Sequence, residues 1–198
     1  MQNATYAILD TETTGFYAKR GDRIVEIAAI KFTGEDIEGA QSFSYLINPE
    51  RNIPKAVTRV HGIVDDMVQD APVFSAIVDE FIDFLQGVDY LFIHNAKFDL
   101  AFLGAEFERA GKACNFPTVI CSVELSRALY PFESSHNLNA IAKRCQLSIK
   151  EGEGRHRALG DVIMTGEAIR IFYHQNPLVF QGTLEQIIGK GYTLPGGV

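Results

Sequence analysis

Cysteine is scarce in this chain of 198 residues: there are three, Cys114, Cys121 and Cys145, odd in number and never at CxxC spacing. That pattern fits neither a disulfide framework nor a thiolate zinc cluster, and it leaves three small hydrophobes for the interior. No apolar run reaches the ~20 residues of a membrane span. The opening MQNATYAILD has neither a basic start nor a long apolar signal segment, so the expected setting is cytoplasmic, with no membrane partner. Basic residues number 18 against 25 acidic ones, a net charge of −7, which argues against broad nucleic-acid binding through a basic face. Internal repeats and low-complexity tracts are also missing.

What is present is apolar: 46% of residues are hydrophobic, enough for one well-buried core of ordinary domain size. Three strand-like segments, Thr5 to Asp10, Arg23 to Phe32 and Gln41 to Asn48, are joined by short Gly- and Asp-rich connections, which predicts an antiparallel meander. From Val73 the period becomes helical, with Phe74, Ile77, Val78, Phe81, Ile82 and Leu85 in register and Gly87 as the stop. A strand over Val88 to Ile93, a helix ending at Gly111, a short strand TVICS and three further amphipathic helices complete the expectation. The last of these helices, RALGDVIMTGEAIRIFYHQ, ends before Pro177. The series describes an α/β fold, a mixed sheet of five strands, the first three antiparallel, covered by helices. The expected division is a domain over 1–174 followed by a tail or linker over 175–198.

The stretch ILDTETTG, Ile8 to Gly15, carries two carboxylates, Asp10 and Glu12, two residues apart. Extended backbone sends such side chains to one face, within several Å of each other. Their repulsion costs stability or forces one to take up a proton, unless a divalent cation sits between them. A lone DxE is more often turn chemistry than a site, so the rest of the chain decides. In FIHNAKFDLAFL, Asp99 falls in the opening turns of a helix, where an acid complements the helix dipole. In GEGRHRALGDVIM, Asp161 is followed by Val162, Ile163 and Met164, an apolar setting that is costly for a carboxylate without a partner. His156 stands at the start of that helix behind a glycine-rich lead. Two bound divalent ions would take the net charge from −7 to −3 and concentrate the gain at one spot, drawing phosphate to a metal centre.

DTETTG, HNAKFD and HRALGD resemble, in order and separation, the three motifs of the DEDD-family 3′-to-5′ exonucleases. Within that family they are similar to the histidine subgroup, which includes the proofreading epsilon subunit of bacterial replicative DNA polymerase. The similarity covers roughly Thr5 to Tyr173. It implies a ribonuclease H-like fold, with Asp10, Glu12, Asp99 and Asp161 binding two Mg2+ or Mn2+ ions and His156 as general base. The motif positions Thr13, Gly15 and Asn95 belong to the implied substrate pocket, and RVHGI, with His61, resembles a segment lining the terminal nucleotide. Phe16 and Phe98 are candidates for stacking on the terminal base, with core packing the equal alternative for Phe98. The implied substrate is the 3′ end of single-stranded or frayed DNA, the product a nucleoside 5′-monophosphate, and the setting proofreading or repair. Alternatives are an RNA-trimming enzyme of the same family and a catalytically silent module that docks nucleic acid or a partner. A polymerase subunit is one candidate partner. The segment QNPLVF, Gln175 to Phe180, also resembles peptides that bind a sliding clamp; the competing expectation has Leu178 and Phe180 packing back onto the domain.

Overall fold

The computed structural model describes residues 4–113, 116–147 and 157–188. Cys114 and His156 lie outside these residues. Strands β1 (Thr5–Thr13), β2 (Ile24–Thr33) and β3 (Gln41–Leu46) form the expected antiparallel meander. Two short helices, α1 (Lys55–His61) and α2 (Asp65–Val68), lead to α3 (Phe74–Phe84). Then come β4 (Tyr90–Ile93), α4 (Ala96–Arg109), β5 (Thr118–Cys121), α5 (Ser122–Leu129) and α6 (Leu138–Arg144). Helices α7 (Ala158–Gln175) and α8 (Pro177–Ile188) follow. The sheet order is β3-β2-β1-β4-β5, with β4 parallel to β1 and β5 parallel to β4.

Alternation along β1 divides the core in two. Ala7 and Leu9 face a layer that includes Phe74, Phe81, Leu103 and Phe107 from α3 and α4. Tyr6 and Ile8 face the other layer, with Val162, Ile169 and Phe172 from α7 and Phe180 and Leu184 from α8. A sheet buried on both faces needs apolar residues of both parities, and β2 supplies them in one unbroken buried run from Ile24 to Ile30 that contains a single charged residue, Glu26. Among the described residues, no helix is long and apolar enough to cross a membrane.

β1, the segment of α1 and α2, and the segment of α8 go beyond the sequence-based expectation. β1 continues past Asp10 to Thr13, so both carboxylates of DTE lie on the strand itself. Helices α1 and α2, of seven and four residues, are too short to impose a helical period on the sequence. Within the segment expected as a tail or linker, Pro177–Ile188 forms α8. Phe180 is 1% exposed and meets Tyr173 edge-on at 5.7 Å, while Leu178 is 84% exposed. Of the two apolar residues of the clamp-like segment, Phe180 is thus packed on the core and Leu178 is exposed. Proline at the first helical position starts α8 where it was expected only to end α7.

Candidate active site

Bonding along β1 sets the geometry of the site. Asp10 and Glu12 share the Ile8 face of the strand, as the i, i+2 rule requires, and face α7. Asp161, in the first turn of α7, completes the group: one ligand atom from each of Asp10, Glu12 and Asp161 lies within 4.8 Å of the others. Helix α7 rides low over β1 at Gly166, where a Cβ would come within 2.7 Å of Ile8 Cδ1. That close approach helps hold Asp161 against the strand.

Asp99 is held from the other side. Thr11 points opposite to its neighbours, and both its backbone N–H (3.1 Å) and its hydroxyl (2.7 Å) donate to Asp99 Oδ1. Asn95 makes this placement possible by taking a left-handed conformation (φ 61°, ψ 47°) as the residue before α4. Asn tolerates that region better than most side chains. The four predicted acids therefore fall into a group of three and a fourth anchored through Thr11, and His156 lies outside the described residues.

The electrostatics follow from this crowding. Burial pushes Asp10 well above the usual carboxylate range, and neighbouring Asp99, Glu12 and Asp161 push it further. Glu12 is raised to about 8, by burial first and then by Asp161, Glu26 and Asp99, with Arg157 pulling the other way. Asp99 is raised to about 7 by burial, against the lowering effect of its bonds from Thr11. The repulsion expected from DTE is thus present and extends to the acids contributed by α4 and α7.

The remaining predicted residues have clear local settings. Thr13 is buried, and its hydroxyl donates to the Gly15 carbonyl at 2.6 Å. Gly15 leaves room for the Asp22 carboxylate, which a Cβ there would meet at 2.2 Å and force to shift. That carboxylate laces the loop by accepting from Tyr17 N–H (3.0 Å) and from Arg51 (2.9 Å). Phe16 is 70% exposed and touches Phe98 edge-on at 6.5 Å, while Phe98 packs on Phe102 at 4.9 Å. Phe98 is therefore part of the core and also the base of an exposed aromatic step. His61 is buried, and its Nδ1 accepts from Ile63 N–H at 3.0 Å.

Sequence reasoning missed Glu26. It lies directly opposite Glu12 in the β1–β2 ladder and is 4% exposed. Its carboxylate accepts from Arg157 Nη2 (2.6 Å) and Nε (3.0 Å) and from Ala158 N–H (3.0 Å), tying down the entry to α7. The signal was a charged residue inside the apolar run from Ile24 to Ile30.

A family model described as exonuclease, RNase_T, matches residues 7–169. The chain belongs to that family. A "DNA polymerase III subunit epsilon-like protein" of Rhodobacter capsulatus is 39% identical over 168 residues, 85% of this chain and 23% of that protein. The DNA polymerase III subunit epsilon of Rickettsia felis is 36% identical over 171 residues, 84% of this chain and 73% of that protein. The chain thus spans less than a quarter of the first relative and most of the second. Exonuclease X, solved in complex with 5′ overhanging duplex DNA, is similar with a TM-score of 0.67 at 26% identity, covering 87% of this chain and 93% of that one. Exonuclease I matches with a TM-score of 0.78 at 16% identity over 92% of this chain and 44% of that one. This exonuclease domain has the ribonuclease H-like fold, with its acids at the end of the first strand and on the helices to either side of it.

Proposed function

We propose that the chain is a two-metal-dependent 3′-to-5′ exonuclease that hydrolyses phosphodiester bonds at single-stranded or frayed DNA ends and releases nucleoside 5′-monophosphates. The observation that carries this reading is the group of Asp10, Glu12 and Asp161 within 4.8 Å, in a member of an exonuclease family, with Asp99 held next to β1 by Thr11. The donor set fits Mg2+ or Mn2+: every ligand on offer is a carboxylate oxygen, the preference of hard ions. The raised carboxylates have the same meaning, since a cation would relieve them.

Divalent ions held there supply charge shielding for the phosphate and a more acidic attacking water. The other tasks fall to this chain's own side chains. Asp10, Glu12 and Asp161 hold the ions between β1 and α7, and Asp99 adds a carboxylate from α4. His156 takes the water proton, which a neutral imidazole with an ordinary pKa of about 6.5 does at physiological pH. Arg157, the next residue, is fixed to Glu26 at the entry to α7. Phe16 and Phe98 stack against the terminal base, and Thr13, Gly15, Asn95 and His61 shape its pocket.

Two similarities favour DNA over RNA: epsilon subunits are named as parts of a DNA polymerase, and exonuclease X was solved with DNA. They also favour proofreading or repair, with a polymerase subunit as partner. The test is incubation of 5′-labelled and 3′-labelled DNA and RNA strands with Mg2+. A ladder shortening from the 3′ end, nucleoside 5′-monophosphate product and faster loss of DNA are expected. Preference for RNA would move the enzyme to RNA trimming, and binding without hydrolysis would make the domain a docking module.

A further inference from the structure

A cleft of about 810 Å³ opens at the carboxyl ends of β4 and β5, walled by His94 and Asn95 on one side and by Arg127, Pro131, Glu133 and His136 on the other. Its position ties it to the acidic site. Leu9 of β1 pairs with Ile93 of β4, so the chain leaves β4 at His94 and Asn95 next to the point where β1 carries on to Asp10. In α/β sheets, ligands gather at the carboxyl ends of parallel strands.

Two side chains here are unexplained by folding. Phe132 is 100% exposed, although residues on both sides of it line the cleft. Arg127 is exposed and makes no ion pair among the described residues. The loop that carries Phe132 is braced. Arg144 donates to Ser126 Oγ (2.9 Å) and to the Ser135 carbonyl (3.1 Å), pairs with Glu133 at 3.4 Å and covers the Tyr130 ring. His136 Nδ1 lies 2.9 Å from Ser126 Oγ and its Nε2 3.1 Å from the Glu133 carbonyl. The one carboxylate on the cleft wall, Glu133, is thereby offset by Arg144, while Arg127 keeps its charge for a ligand. An apolar ring presented to water on a fixed loop, beside an uncommitted guanidinium, matches the stacking platform and phosphate contact of single-strand binding.

We propose that this cleft carries the single strand upstream of the terminal nucleotides, with Phe132 stacking on a base and Arg127 meeting a backbone phosphate. The proposal rests on the exonuclease reading and adds a second binding region to it. The measurement is kcat and KM on oligothymidylates from dT3 to dT12 in Mg2+. Phe132→Ala should raise KM for dT12 about tenfold, the scale of one lost stacked base, with little change in kcat, and the penalty should shrink as the strand shortens. Phe132→Trp should restore the wild-type KM. Arg127→Ala should raise KM and flatten its dependence on salt. Equal penalties on dT3 and dT12, no penalty on either, or a lowered melting temperature for Phe132→Ala would each overturn the proposal. If the wild type hydrolyses none of these strands, the exonuclease reading fails. Anisotropy of labelled dT12 then decides the cleft separately: weaker binding by Phe132→Ala supports it, and equal binding overturns it.

Discussion

Glu12 and Glu26 face each other across neighbouring strands, yet their surroundings differ in kind. Glu26 has a guanidinium in a two-pronged grip and a backbone N–H at the start of α7. On the opposite side of the sheet Glu106 is equally buried and equally served, by Arg23 Nε at 2.6 Å and Nη2 at 2.9 Å. Among the described residues, neither Asp10 nor Glu12 is in an ion pair, and Glu12 is raised to about 8. Among the described residues, the fold pairs a buried carboxylate with arginine at both Glu26 and Glu106. Asp10 and Glu12, raised by burial and by neighbouring acids, are poised for cations from solution. Glu26 and Glu106 stabilise the frame; Asp10 and Glu12, outside any ion pair among the described residues, have their carboxyls raised by burial and by neighbouring acids.

Removing an acid from each class should break or sharpen that contrast. The largest effect is expected at the cluster: Asp10→Asn should reduce hydrolysis to background while raising the melting temperature in chelator, because one like charge is lost. A variant that melts lower and still cleaves would make Asp10 a structural residue like Glu106. His156→Ala should slow the chemical step by about 10² to 10⁴-fold and leave metal affinity nearly unchanged, as read by single-turnover rates at saturating Mg2+.

At the paired acids the order reverses. Glu106→Ala leaves a mostly buried Arg23 with only the exposed Glu50 as partner and should cost about 3 kcal/mol in urea unfolding, with kcat preserved in the folded fraction. Glu26→Ala should cost less stability, since Arg157 is 39% exposed, but should also lower kcat because α7 loses its anchor beside the cluster. Equal kcat in the two variants would show that the Glu26 grip serves the frame alone.

The smallest effect is on pH dependence. Glu12 and Asp99 are raised to about 8 and about 7, above the ordinary carboxylate values of about 4 that hold in the unfolded chain. Between these limits the folded state holds protons that the unfolded state has released, so their contribution is full below pH about 4 and is lost as pH rises to about 8. The melting temperature of chelated protein should therefore fall across that window, and excess Mg2+ should flatten the decline. A melting curve that rises with pH in chelator would contradict the raised carboxyls of Glu12 and Asp99.

Much of this arrangement is local and therefore legible in the chain. The i, i+2 spacing of Asp10 and Glu12 puts them on one face of any extended segment, and the spacing of Phe74, Ile77, Val78 and Phe81 gives α3 its buried stripe whatever it packs against. The three motifs named the acids for the same reason: residue type and separation are properties of the chain. Only the tertiary structure decided which groups meet. Asp161 reaches Asp10 across 151 positions because α7 packs on β1, and Asp99 is held beside the strand because Thr11, of opposite parity, bonds its carboxylate. Glu26 found Arg157 across 131 positions, Phe180 was drawn from an expected tail into the core, and Phe132 was left in solvent on a braced loop. Side-chain direction along a strand or helix follows from backbone geometry a few residues long, whereas the choice of partner across a sheet depends on strand order and helix docking, which no short stretch of sequence contains.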